Sequence, residues 1–162
     1  MYIQDSIQSQ FYAALEMLKD TVVQCPETRW DDSQSAKKFW HVAYHTLFYT
    51  HLYLQTSENS FTGWYKHRVG YNQLSSEPEG ETELLPYSRE EILEYIEFCQ
   101  NQVAEKTASL DMEAESGFSW LPFNKLELQI YNIRHIQHHA AELAEWLGAN
   151  EGIELGWVGS KR

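Results

Sequence analysis

Three of the chain's seven histidines fall in Arg134-His135-Ile136-Gln137-His138-His139. His135 and His139 are four apart, so on a helix their imidazoles stack one turn apart on one face. His41 and His45 repeat that spacing in a second apolar stretch. A charged imidazole is costly to bury, and a neutral one needs a partner for each ring nitrogen. A metal ion shared between two facing helices is one solution; a hydrogen-bonded network of core histidines is the other. Zinc, nickel, iron and copper all accept imidazole, so the spacing leaves the metal open. His45 sits mid-helix in Ala43-Tyr44-His45-Thr46-Leu47 and is the better core candidate, with His41 as the reserve ligand. His138 lies about 60° to 100° around the helix from its two neighbours and faces away from their site. His51 and His67 stand alone and read as surface or hydrogen-bonding residues.

Four helical segments must position these residues. In the first, Ile3, Ile7, Phe11, Ala14, Leu18 and Val22 recur at helical spacing through Gln4–Gln24, and Pro26 closes it. The second opens at Ser33 or Ser35 and runs to Gln55. It is rich in aromatics and poor in charge after Lys38, so it should be largely buried. A long irregular stretch follows over residues 56–87, its first half packed by Phe61, Trp64, Tyr65 and Tyr71, its Glu77–Glu83 segment solvated. Ser88 with Glu91 makes a capping box for the third helix, whose stripe Ile92, Tyr95, Ile96, Cys99 and Val103 continues to Leu110. The fourth begins at Asn124 and ends at Gly148 as its C-cap. Its stripe Leu128, Tyr131, His135, His139 (or His138), Glu142 and Trp146 points to the core, and the tail beyond, with Trp157, packs back on the helices. The reading is one all-α domain, a four-helix bundle with a long loop between helices 2 and 3.

Composition excludes several function classes. The 162 residues carry 12 basic and 24 acidic side chains, net −12. That balance argues against nucleic acid and against anionic membrane surfaces, both of which need lysine and arginine. No apolar run is long enough to span a membrane, and the N-terminus shows no signal-peptide pattern, so the expected location is the cytoplasm. Cys25 and Cys99 form no ligand spacing and read as buried thiols. There is no His-Glu-x-x-His, no Glu-x-x-His, no glycine-rich phosphate loop and no Gly-x-Ser-x-Gly, which removes zincin, di-iron, nucleotide and α/β-hydrolase chemistry.

Two segments carry a resemblance. Tyr131-Asn132-Ile133-Arg134-His135-Ile136-Gln137-His138-His139-Ala140-Ala141-Glu142-Leu143 is similar to the last helix of the DinB-like (damage-inducible) superfamily of metal-binding four-helix bundles. Trp40-His41-Val42-Ala43-Tyr44-His45-Thr46-Leu47-Phe48 is similar to its second helix, which supplies one metal-binding histidine. The resemblance implies that His45, His135 and His139 hold a divalent transition metal (zinc, nickel or iron) and leave a position open. It also implies a homodimer and a role in stress response. Its members include thiol-dependent S-transferases. The implied activity is therefore metal-dependent transfer of a low-molecular-weight thiol to a small electrophile, with a non-catalytic bundle around a structural metal as the alternative. Glu142 departs from the glutamine that relatives often carry. It can orient a ligand histidine, serve a plain structural role, join the metal, or act as a base. Aromatic residues of the second helix and of the Phe61–Tyr71 loop would wall the pocket.

Overall fold

The computed structural model describes residues 2–74 and 84–161; the Glu77–Glu83 segment read as solvated lies outside them. Helix α1 spans Ile3–Gln24, α2 Glu27–Trp30, α3 Phe39–Tyr53, α4 Arg89–Thr107 and α5 Lys125–Glu151. Among the described residues there is no strand, only an isolated bridge between Glu115 and Asn124. The protein is all-α.

The first and third expected helices form where their local chemistry places them. In α1, Ile7, Phe11, Ala14, Leu18 and Val22 are buried, while Ile3 is exposed at the end of the stripe. At α4 the Ser88 hydroxyl accepts from the Glu91 N–H at 3.2 Å, and the Glu91 carboxylate accepts from the Ser88 N–H at 2.9 Å. Such a reciprocal cap stabilises a helix start by about 1 kcal/mol. Helix α4 stops at Thr107, short of Leu110.

Helix α3 ends at Tyr53 rather than Gln55, and two further boundaries differ from the sequence reading. Helix α3 starts at Phe39, not at Ser33 or Ser35. Asp32 is the reason: its carboxylate accepts the Gln34 N–H at 2.9 Å and the Arg29 guanidinium at 2.8 Å. The Ser35 N–H closes on the Asp32 carbonyl at 3.1 Å, so residues 32–35 form a turn in place of a first helical turn. At the other end of the chain, α5 runs through Gly148 to Glu151. Gly152 is the C-cap, with φ +67°, and its N–H returns to the Gly148 carbonyl at 3.1 Å. Ala149, Asn150 and Glu151 all tolerate helical backbone, so the helix stops only where a left-handed residue is available.

Each long helix packs on two others: α1 on α4 and α5, and α3 on α4 and α5. Helix α3 is buried on nearly every side. Its C-terminal carbonyls would be orphaned there. Helix α5 supplies their partners: Lys125 Nζ donates to the Gln55 carbonyl at 2.9 Å, Gln129 Nε2 to Tyr53 at 3.1 Å, and Asn132 Nδ2 to Thr50 at 3.1 Å. Numbers rise along α5 as they fall along α3, so the two run antiparallel in fixed register. Leaving such buried carbonyls unpaired would cost roughly 1–3 kcal/mol each. Carried one turn further, the same register brings His135 to His45.

The buried face of α5 is Leu128, Gln129, Asn132, Ile136, His139, Ala140, Leu143 and Leu147. This corrects the expected stripe. Tyr131 is 37% exposed and Glu142 is half-buried, so the histidines lie along the edge of the core face rather than at its centre. The tail returns along α1, where Gln10 donates to the Gly159 carbonyl at 3.1 Å and Lys161 meets Glu16 at 2.5 Å. Trp157 does not anchor it; its side chain is exposed.

Candidate metal centre

His45, His135 and His139 converge: one ring nitrogen from each lies within 4.8 Å of the other two. His135 Nε2 is 3.2 Å from His45 Nε2. With metal–nitrogen bonds of about 2.0–2.1 Å, two ligand nitrogens lie about 2.9 Å apart at a right angle and about 3.4 Å apart at the tetrahedral angle. The observed separation falls between these.

The far side of each ring decides which nitrogen is free. His45 Nδ1 is 2.7 Å from the Asn72 carbonyl, which can only accept. That nitrogen therefore carries the proton, and Nε2 presents its lone pair to the cluster. His139 Nδ1 is 2.8 Å from the Glu142 carboxylate, which fixes the same tautomer and leaves its Nε2 free. His135 has no such anchor: its buried Nδ1 has no hydrogen-bond partner among the described residues. Its ring is held by packing, edge-on to His139 at 4.7 Å and to Tyr49 at 5.8 Å.

Burial keeps all three rings neutral. It pulls His45 down to about 4 and His135 down to about 3, with the neighbouring histidines adding to the fall at His135. His139 is lowered too, again by burial, against the opposing pull of Glu142. Neutral imidazoles are the form that binds metal. Glu142 stays ionised below the usual carboxylate range because Lys37 at 2.9 Å and His139 outweigh its partial burial. The chain Lys37–Glu142–His139 thus runs from the turn before α3 to the cluster.

His41 does not join. Its Nε2 is 2.7 Å from the Tyr71 carbonyl and its ring stacks on Trp40. The His41–His45 pair instead clips two successive loop carbonyls, Tyr71 and Asn72, and only His45 turns its other nitrogen inward. His138 is exposed; it groups with His139 and Glu142 on the outer side of α5. His51 and His67 are hydrogen-bonding residues, to the Tyr95 hydroxyl at 3.3 Å and the Tyr44 hydroxyl at 2.6 Å.

A pocket of about 340 Å³ opens on the cluster, lined by His45, Tyr49, Tyr53, Trp120, Tyr131 and His135. Tyr49 and Tyr53 come from the expected helix. The Phe61–Tyr71 loop does not contribute: Phe61 packs on Phe48 and His51, away from the cluster. Its place is taken by Trp120, from the connection before α5, and by Tyr131. The signal for Tyr131 was its position one turn before His135; Trp120 and Lys37 had none in the sequence.

Comparison of the chain with protein-family models, with curated proteins and with solved structures returns no match. No helix among the described residues is long and apolar enough to cross a membrane.

Proposed function

We propose that this protein is a DinB-like four-helix bundle that holds one divalent transition metal (zinc, nickel or iron) on His45, His135 and His139. It uses that metal to transfer a low-molecular-weight thiol to a small electrophile. The supporting observation is the 3.2 Å approach of two imidazole nitrogens beside a pocket. Three neutral imidazoles with an accessible side are the donor set of an open site, whereas a structural clamp would be closed by a fourth protein ligand.

When bound, the metal lowers the pKa of a coordinated thiol so that thiolate exists at neutral pH. The chain's own residues do the rest. Asn72 and Glu142 hold the tautomers of His45 and His139. The aromatic walls orient the bound molecule and exclude water. The thiol proton leaves to solvent; the sulfur lone pair forms the new S–C bond, and the leaving group departs with its bonding electrons. The dimer and the stress role implied by the resemblance belong to the same reading.

Cobalt substitution tests it. Added thiol should produce a sulfur-to-cobalt charge-transfer band in the cobalt protein. A cobalt spectrum indifferent to thiol would favour a closed structural site and overturn the transferase reading.

A further inference from the structure

The pocket beside the histidines has a composition that specifies more than access. Four of its six lining residues are Tyr49, Tyr53, Tyr131 and Trp120. Their rings form a continuous wall: Tyr49 and Tyr53 have centroids 5.7 Å apart, and Tyr53 and Tyr131 are also 5.7 Å apart, near edge-on at 72°. Tyr53 stays a neutral phenol, because burial pushes it up to about 12. The two remaining lining residues are His45 and His135, and among the described residues no lysine, arginine, aspartate or glutamate lines the pocket. Residues 75–83 contain four glutamates and no lysine or arginine, so they bring no cation either.

Resting on the metal-site reading, we propose that the molecule bound here is an uncharged aromatic one that carries its own metal-binding sulfur. Size, charge and surface each limit the choice. A volume of about 340 Å³ is at the small end for ligand sites and accommodates one ring with a short arm. An anionic group beyond the donor atom would find no countercharge in the walls, and would approach a chain of net charge −12. A cationic group suits aromatic faces, but no carboxylate lines the pocket to pair with it once it is taken out of water. A flat neutral ring meets tilted and edge-on partners in the geometry that aromatic pairs prefer.

Three thiols separate these choices on the cobalt-loaded protein once each constant is corrected for that thiol's own acidity: phenylmethanethiol, 3-mercaptopropionate and 2-aminoethanethiol. Their dissociation constants are read from the sulfur-to-cobalt band. Phenylmethanethiol is expected to bind at least about tenfold more tightly than the other two. Trp120 is 48% exposed and Tyr131 37% exposed, so truncating both leaves the core intact. The Trp120→Ala/Tyr131→Ala variant should keep its cobalt stoichiometry and helical circular dichroism while the preference falls to about threefold or less. Equal or tighter binding of the charged thiols overturns the inference. So does a preference that survives in the variant. If thiol bands form without a preference for the ring, this inference fails and the metal-site reading stands; if cobalt does not bind, both fail.

Discussion

His135 Nε2 faces His45 Nε2 at 3.2 Å across the α3–α5 interface, on the register set by Asn132 and Thr50 one turn away. Both rings are neutral, and His45 directs a lone pair into the gap. A metal ion there should be lost when either ring is removed, and kept when His41 is removed, since His41 is committed to the Tyr71 carbonyl. Elemental analysis of purified protein should give about one transition metal per chain for the wild type and His41→Ala, and little for His45→Ala or His135→Ala. Equal metal in the wild type and His135→Ala would sink the three-histidine site.

Glu142 fixes His139 by accepting its Nδ1 proton at 2.8 Å. Glutamine at 142 keeps the size and an acceptor but loses the charge. Glu142→Gln should weaken metal affinity by about 10- to 100-fold, measured by competition with a chromophoric chelator. Lys37→Met should cost less. The Lys37–Glu142 pair is substantially exposed, and such pairs contribute little. An unchanged affinity in Glu142→Gln would reduce the carboxylate to a surface group.

The sequence carried the periodic parts of the long helices and the pairing of His135 with His139, because those depend on local spacing. The 3.6-residue period identified α1 and α4, and the four-residue spacing placed His135 and His139 on one face. What it could not carry were contacts made through backbone atoms and through chain far away in number. The carbonyls of Tyr71 and Asn72 distinguish His41 from His45, yet a carbonyl has no residue-type signature. Trp120 reaches the pocket only because the connection before α5 folds over the end of α3. Asp32 displaced the start of α3 by a turn that competes with the helix, a contest that propensity alone does not decide.

Acid should destabilise the metal-free protein. Burial lowers His45 and His51 to about 4 and His135 to about 3. The unfolded chain then binds more protons wherever the pH lies between these values and the ordinary histidine value near 6.5. The stability of the folded form is therefore fully present above pH 6.5 and declines as pH falls through that window toward 4. His51, 3% exposed and outside the cluster, should account for a loss on the order of 2 kcal/mol at pH 5. Denaturant unfolding at pH 7 and pH 5 measures it. A midpoint unchanged between the two would mean that these rings are not held neutral.

Two glycines should respond oppositely to alanine. Gly148 lies inside α5, and a Cβ there would meet only the Ile153 carbonyl, at 3.7 Å. Its backbone is already helical, so alanine removes unfolded-state freedom without strain. Gly148→Ala should stabilise by about 0.5–1 kcal/mol. Gly117 has φ +80°, and a Cβ there would run into the Thr56 carbonyl and the Ser57 backbone. Its own carbonyl also accepts the Glu58 N–H at 3.1 Å, so it cannot retreat without breaking that bond. Gly117→Ala should cost about 2 kcal/mol or more. The loss should also reach the pocket, because Trp120 is carried by the same connection, three residues on. Thermal melts of both variants give the signs, and thiol titration of cobalt-loaded Gly117→Ala gives the coupling. A Gly117→Ala protein as stable as the wild type would show that this connection is not held against the end of α3.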